Sequence, residues 1–308
     1  MEFIALLLAL LVFYYQKIPE RLREDDWYLE WYSSLTFLPS GIPRLFVTLV
    51  LPVIGLDLLL RFVHGWMFSL PSLLIAVLAL LYSFGRGDLR DELRTVAEDA
   101  EREDMQGVYH RIETLTPAEE VSSLDVNDAE ALSGQAIKSL SYRFLEHMFA
   151  ALFWFFVLGP AGALLYRLLW VSAQAQVQVP DQVADTNDSN DFDPEGSVEN
   201  RLARHWLYWL EWLPVRALGL ILAVVGNFSD CVEIWLESLV NTESSSRLLG
   251  AFVATSFTAD AVDADLTEKS SDHVRGALLA ARVRGLQPLF FRCVLAWLVF
   301  VAVLVVSF

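Results

Sequence analysis

The sequence predicts an all-α fold, a polytopic membrane helical bundle with a re-entrant helical hairpin and cytoplasmic helices. Its apolar residues are concentrated in a few long runs, and polar segments separate those runs. The runs are Met1–Tyr15, Leu45–Val63, Met67–Phe84, Phe144–Ser172 and Leu286–Phe308. An apolar stretch of about 18 or more residues can cross a ~30 Å hydrocarbon core as a helix. The sequence also lacks the sustained alternation of apolar and polar residues that is typical of strands.

Composition supports a membrane bundle combined with helices in water. The hydrophobic fraction of 55 % and the mean hydropathy of +0.42 are high for a soluble domain, whereas 20 % charged residues is high for a pure membrane bundle. A net charge of −17, with no basic patch among aromatic residues, argues against nucleic-acid binding. The two cysteines, Cys231 and Cys293, fit neither a zinc spacing nor a CxxC motif.

The charges predict how the first three runs cross the membrane. Met1–Tyr15 lacks a basic start and a small-residue cleavage site, so we expect a retained membrane helix rather than a signal peptide. Basic residues lie between the first and second runs and again between the third and fourth. By the positive-inside rule both segments are cytoplasmic, which places the N-terminus in the periplasm of a cell inner-membrane protein.

The fourth run, Phe144–Ser172, is divided by Gly159–Pro160–Ala161–Gly162 into two halves that are each too short to span a bilayer. Proline removes a backbone donor and glycine permits a tight reversal. We therefore predict a re-entrant hairpin that returns to the cytoplasm, and a single fourth span is the alternative.

The polar segments read mainly as helices. Asp88–Glu113 has the pattern of one amphipathic surface helix, and Trp206–Gly226 that of a helix at the interface or partly inserted. Ser244–Thr258 and Asp272–Arg284 are also predicted as helices. Residues 173–200 are predicted to form an acidic disordered linker, because Lys and Arg are absent from Ala173 to Glu199.

The predicted organisation has six parts. They are residues 1–84 (three membrane helices with an interfacial cytoplasmic loop), 85–143 (cytoplasmic helical segment), 144–172 (hairpin or fourth span), 173–200 (acidic linker), 201–285 (interfacial and cytoplasmic helices) and 286–308 (last membrane helix).

Several ionisable residues lie where burial would be costly. Asp57 and Arg61 are four residues apart in the second run, so they can form a functional pair or extend toward the interface as a structural one. Glu146 and His147 open the fourth run and could act as acid and base, share a cation, or cap the hairpin. Adjacent helical residues point about 100° apart, which argues against joint action at one atom.

Two further features have alternative interpretations. An acidic run that ends at Asp104 could hold Mg²⁺ or form a solvated face. Arg216 follows interfacial aromatic residues and could bind a phosphate or carboxylate, or anchor the chain at the headgroups. The acidic run that ends at Asp104 consists of Asp99, Glu101, Glu103 and Asp104.

Three stretches of the chain carry a family resemblance, namely LRDELRTVAEDAEREDMQGVYHRIE, FAALFWFFVLGPAGALLYRL and WLPVRALGLILAVVG. They resemble the AmpE family of inner-membrane proteins, which are associated with the beta-lactamase regulatory system of Gram-negative bacteria and linked with the AmpD amidase. That family is similar in turn to the CobD/CbiB cobalamin-biosynthesis enzymes, which join an aminopropanol unit to a corrinoid in the membrane.

The chain departs from the enzymes where their chemistry lies. It lacks the Arg-Asp-Thr that follows the first cytoplasmic helix in the enzymes, the Glu-Asn pair and Asp before the fourth run, and the Ser-Pro-Asn expected near Ser244–Ser246. Pro214–Val215–Arg216 and Asp104 are retained. Loss of paired carboxylates removes divalent-metal ligands, so the resemblance implies a kept scaffold without catalysis, metal or cofactor.

The resulting hypothesis is a non-catalytic sensor or signal relay for beta-lactamase induction and cell-wall recycling. Its ligand would be a small anion, either a nucleotide or a cell-wall fragment. Its protein partners would be another protein of the same regulatory system and a second copy of itself in a homodimer. The alternatives are an active membrane enzyme that uses Glu146 or His147, and a small-molecule or lipid transporter. The predicted ligand-binding residues are Asp104, Arg143, Glu146, His147 and Arg216.

Overall fold

A computed structural model describes the greater part of the chain. The described residues are 2–15, 24–35, 37–39, 41–63, 70–85, 87–115, 129–174, 198–239, 244–258 and 272–307. Of the predicted acidic linker, residues 175–197 lie outside the described residues.

The described residues form twelve α-helices and no strand, which confirms the all-α prediction. The helices are α1 (Glu2–Tyr15), α2 (Asp26–Ser34), α3 (Ile42–Val63), α4 (Leu70–Ser83), α5 (Leu89–Glu101), α6 (Met105–Leu115), α7 (Ala129–Phe144), α8 (Ala150–Gln174), α9 (Val198–Val225), α10 (Phe228–Ser238), α11 (Ser245–Thr258) and α12 (Asp272–Ser307). A π-helical turn, Leu145–Phe149, joins α7 to α8.

Four helical stretches are long and apolar enough to cross a membrane, which confirms the predicted polytopic bundle. They are Ile42–Val63, Glu130–Gln174, Glu199–Val225 and Gly276–Ser307. The helices at Phe3–Tyr15 and Leu70–Ser83 are apolar but shorter. The last of the four makes up most of α12, which runs without a break through the two segments that the sequence analysis had separated. At 1.5 Å per residue α12 is about 54 Å long.

The chain forms two compact units. The first consists of Met1–Arg86 and Ala150–Glu211, and the second of Gly87–Phe149 and Trp212–Phe308. In the first unit α8 packs on α3 and α4, and α1 packs on α4. In the second unit α12 packs along α5 and contacts α7, while α11 packs along α7.

A break at Gly159 divides α8. Its φ of 71° and ψ of −165° are not helical and lie in a region that only glycine adopts readily. A Cβ placed on Gly162 would lie 2.6 Å from the carbonyl oxygen of Trp154. In a straight helix residues eight apart are separated by about 12 Å, so α8 is sharply kinked here. The re-entrant hairpin stays a prediction.

The predicted single helix over Asp88–Glu113 is wrong in one respect, because the structure divides it into α5 and α6. Glu103 adopts a positive φ of 59° between them. Asp104 then begins α6, since its Oδ1 accepts a hydrogen bond from the Gly107 N–H at 2.9 Å. A short polar side chain that accepts a bond from the third helical amide is the usual N-terminal cap, and it competes with continuation of α5.

Candidate functional site

In the second unit, three of the predicted ligand-binding residues form one polar cluster, which we call the Arg143 cluster. Arg143 Nη1 lies 2.8 Å from His147 Nε2 and 4.0 Å from Glu146 Oε2. The spacings of three and four residues place these side chains on one helical face. Because a guanidinium only donates hydrogen bonds, His147 Nε2 accepts here, and a neutral His147 carries its proton on Nδ1.

The Arg143 cluster includes a fourth residue, Glu92 of α5, which the sequence analysis did not single out. Burial raises the pKa of the Glu92 carboxyl above its ordinary value, and the Arg143 charge acts in the opposite direction. The guanidinium of Arg143 thus lies near an imidazole and the almost fully buried carboxylate of Glu146, and its charge acts on the Glu92 carboxylate from a greater distance. From the sequence spacing alone, only Arg143, Glu146 and His147 could be predicted to lie together.

The backbone at the Arg143 cluster is unusual, since Glu146 and His147 belong to the π-helical turn. Such turns are rare and occur frequently at functional sites, because one extra residue per turn changes where the following side chains point. The sequence predicted that the fourth apolar run begins here, but not the π-helical geometry.

Asp104 acts as the cap of α6, and its described contacts are with the first turn of α6 and the end of α5. Besides the bond from Gly107, its backbone N–H donates to the Asp99 carbonyl oxygen at 3.0 Å. Two other members of the acidic run make ion pairs. Asp99 Oδ2 lies 2.5 Å from Arg111 Nε, and Glu101 pairs with Arg284. These contacts support a structural interpretation of the acidic run over the Mg²⁺ alternative.

Arg216 joins α9 to α10. Its guanidinium lies 4.0 Å above the ring of Trp212 and also donates to the Trp212 carbonyl oxygen at 3.1 Å. Nη2 donates to the carbonyl oxygen of Ser238 at the end of α10, where a cation complements the helix dipole. Trp235 Nε1 donates in return to the Arg216 carbonyl oxygen at 2.9 Å. The retained Pro-x-Arg motif thus has a clear structural use.

The structure brings together Arg143, Glu146 and His147, whereas the contacts described for Asp104 and Arg216 lie in other parts of the same unit. Ligand binding by the five residues stays a prediction.

The first unit contains a buried ion pair that the sequence analysis missed. Arg167 Nη2 of α8 lies 2.7 Å from Asp25 Oδ2, and the two side chains are only 4 % and 8 % exposed. Tyr82 donates to the other oxygen of Asp25 at 3.0 Å, and the Arg167 guanidinium lies 4.7 Å from the ring of Trp170. The sequence did contain a signal for this pair, because no Asp, Glu or Lys and no Arg other than Arg167 lies between Glu146 and Asp181. An ionisable residue in such a run normally has a partner.

A second buried carboxylate in the first unit, Glu199, connects three helices. It accepts hydrogen bonds from the Tyr32 hydroxyl at 2.5 Å and from the Gly41 N–H at 2.9 Å. Arg44 Nη1 lies 4.0 Å away, with its guanidinium 4.4 Å from the Tyr32 ring. Burial and the nearby carboxylate raise the pKa of the Tyr32 hydroxyl, so it remains a donor. This network fastens the start of α9 to α2 and α3.

The family model described as regulatory signalling modulator protein AmpE matches residues 1–270. The chain is also similar to Protein AmpE of Shigella flexneri, at 26 % identity over 194 residues that cover 61 % of this chain and 62 % of that protein. The chain therefore spans a little less than two thirds of this curated relative. No solved structure matches it. With four helices able to span a membrane, the chain is a multi-pass membrane protein that belongs to the AmpE family of regulatory signalling modulators.

Proposed function

We propose that this protein is a non-catalytic sensor or signal relay of the inner membrane, linked to beta-lactamase induction and cell-wall recycling. The match of the AmpE family model to residues 1–270 carries this proposal. The proposal includes a periplasmic N-terminus, mainly cytoplasmic polar segments and a distant relationship to the CobD/CbiB enzymes, without their chemistry. It also includes a protein partner from the same regulatory system.

The sensing site would be the Arg143 cluster, and its ligand a small anion such as a nucleotide or a cell-wall fragment. Arg143 Nε is buried and has no hydrogen-bond acceptor among the described residues. At 4.0 Å, Glu146 is too far from Arg143 Nη1 for a hydrogen bond. Arg143 therefore keeps donor capacity for a carboxylate or phosphate oxygen, which a guanidinium binds well.

A ligand at this position could change the second unit through α7. An anion that binds Arg143 competes with His147 and Glu146 for its guanidinium, and those two residues belong to the π-helical turn. α11 packs along α7, so a shift of the turn would reach α11 through existing contacts. A relay of this kind requires that the ligand bind more tightly to a shifted arrangement of the turn than to the one described here.

Ligand-dependent thermal stabilisation tests the binding step. We would measure the melting temperature of the purified protein in detergent with a muropeptide or with ATP as probe. We expect one probe to raise the melting temperature of the native protein but not that of R143Q. The matched control is R94Q, because Arg94 is an exposed arginine on α5. An equal shift in R143Q, or no shift with either probe in the native protein, would overturn this binding site.

Activity assays separate the relay from its alternatives. Beta-lactamase induction in cells should be altered by loss of the protein and restored by the native chain. Nucleotide turnover that E146Q abolishes would favour an enzyme instead. Flux of a muropeptide or lipid precursor into proteoliposomes would favour a transporter. The relay predicts neither activity, together with a partner protein that co-purifies from cells with normal induction.

A further inference from the structure

Three buried hydrogen-bond donors in the first unit have no acceptor among the described residues. They are Arg44 Nε on α3, Asn200 Nδ2 on α9 and Trp31 Nε1 on α2. The Asn200 residue as a whole is only 4 % exposed. A buried donor without an acceptor is costly, so each of the three is expected to bind an oxygen atom that the described residues do not supply.

The three donors belong to, or directly adjoin, the network around Glu199. Arg44 Nη2 donates to the Tyr32 carbonyl oxygen at 3.0 Å, whereas Arg44 Nη1 lies 4.0 Å from Glu199 Oε1, too far for a hydrogen bond. Trp31 directly precedes Tyr32, and Asn200 directly follows Glu199. The place where α2, α3 and α9 meet therefore has a guanidinium, an amide and an indole with donor capacity left.

This place lies at the start of two candidate membrane spans, Ile42–Val63 and Glu199–Val225. Arg44 is in the first turn of one span, and Glu199 opens the other and accepts from the Gly41 N–H at 2.9 Å. The two spans therefore begin at one level, where the hydrocarbon core would end and where Trp and Tyr are enriched in membrane proteins. The oxygen acceptors of a bilayer at this level are the headgroups, above all their phosphates.

An apolar surface leads from Arg44 along α3 toward the middle of the span. Leu51 and Leu58 follow Arg44 by seven and fourteen residues, so they point only about 20° and 40° away from it and lie roughly 10 and 21 Å deeper. Their side chains are 49 % and 60 % exposed. An acyl chain can lie along this surface while its headgroup is at Arg44.

We propose that Arg44, Asn200 and Trp31 bind the phosphate of a membrane phospholipid. A guanidinium binds phosphate oxygens well, and the amide and the indole supply further N–H donors. Both oxygens of Glu199 already accept hydrogen bonds, so this carboxylate does not occupy Arg44 Nε. The sequence analysis predicts that this segment is cytoplasmic, and basic pockets between membrane helices on that side bind anionic headgroups. The lipid site is independent of the ligand proposed for the Arg143 cluster.

Thermal stabilisation by a defined lipid tests the site. We would measure the melting temperature of the delipidated protein in detergent with dioleoylphosphatidylglycerol, with dioleoylglycerol, which lacks the phosphate, and with inorganic phosphate. At a hundredfold excess over Kd, we expect only the phospholipid to raise the melting temperature of the native protein, by roughly 5 °C. R44Q should lose most of this rise, and N200L and W31F part of it. R61Q is the matched control and should keep the full rise, because Arg61 is an exposed arginine in the last turn of the same helix.

Four outcomes would overturn the proposal. The first is no rise with the phospholipid in the native protein, since water would then satisfy the donors. The second is an equal rise in R44Q and R61Q. The third is an equal rise with dioleoylglycerol, which would come from acyl chains alone, or with inorganic phosphate, which would assign the site to a soluble anion. Should R44Q fail to fold, W31F and N200L keep the site testable, because each removes one neutral donor, and the fourth outcome is the full native rise in both.

Discussion

Removal of Arg167 should destabilise the first unit strongly, because it leaves a buried carboxylate without its cation. Asp25 and Arg167 are 8 % and 4 % exposed, so water screens the pair little. Breaking a buried pair costs about 3–5 kcal/mol. Tyr82 still donates to Asp25 at 3.0 Å, and this remaining bond to a charged group offsets part of the loss. We therefore expect R167Q to lower the free energy of unfolding by about 3 kcal/mol, at the lower end of that range.

The double variant D25L/R167M separates two contributions to the free energy of unfolding, the cost of one unpaired buried charge and the net contribution of the intact ion pair. Replacing a buried ion pair by apolar side chains of similar size is often neutral or stabilising, so we expect it to be closer to the native protein than R167Q is. Unfolding in mixed micelles of increasing SDS fraction measures each variant. E98Q is the control, since the Arg94–Glu98 pair has a similar 2.6 Å distance but lies at the surface, with side chains 75 % and 33 % exposed. We expect a change no larger than that of an ordinary surface pair.

The reasoning would be refuted by an R167Q cost below about 1 kcal/mol, which is the size of an ordinary exposed pair. It would also be refuted if D25L/R167M lost as much stability as R167Q, because the loss would then come from packing against Trp170.

G159A should lower the free energy of unfolding by about 1–3 kcal/mol, because alanine disfavours the φ of 71° and ψ of −165° found there. The control G134A, at a helical site with open space around it, should not lower it. Equal effects of the two substitutions would contradict the non-helical backbone at Gly159. D104A should lower the free energy of unfolding by about 0.5–2 kcal/mol and speed hydrogen exchange of the Gly107 amide. D104N should have neither effect, because asparagine can still cap the helix. Unchanged hydrogen exchange in D104A would argue against the cap. The third prediction concerns pH. Because burial raises the Glu92 pKa above its ordinary 4.5, its contribution to stability is full below about pH 4.5 and is lost as pH rises through the raised value. E92Q should flatten this part of the melting-temperature profile, and an unaltered profile would exclude Glu92 as its source.

The helical fold could be predicted because length and apolar periodicity are local properties. The break at Gly159 was predictable for the same reason, since glycine and proline act on the backbone where they stand. The division between α5 and α6 was missed, although Asp104 has the side chain of a cap, because the amphipathic pattern continues across it. The union of the last two predicted helices into α12 was missed because charged residues at its start suggested a separate element.

The candidate site was predictable only over short sequence distances. A helix fixes Arg143, Glu146 and His147 on one face, so their proximity follows from spacing. Glu92 joins them from another helix, and Asp25 meets Arg167 across 142 residues of sequence. A single sequence contains no signal for such pairings, because they are fixed by how helices pack. The sequence does show that one charged residue, Arg167, lies in an apolar run.

The partners of three arginines, the buried Arg167 and Arg216 and the partly buried Arg143, explain why Arg143 is the better candidate for the proposed sensing site. Arg167 has a carboxylate oxygen at 2.7 Å, and an incoming anion would have to displace it at the full cost of a buried charge. Arg216 donates to two carbonyl oxygens and stacks on Trp212, so it holds α9 and α10 together. Arg143 instead has a carboxylate oxygen at 4.0 Å and a neighbouring imidazole. An anion there would compete with one imidazole hydrogen bond and a carboxylate at 4.0 Å rather than with a close buried ion pair, so more of its binding energy would remain for moving the π-helical turn.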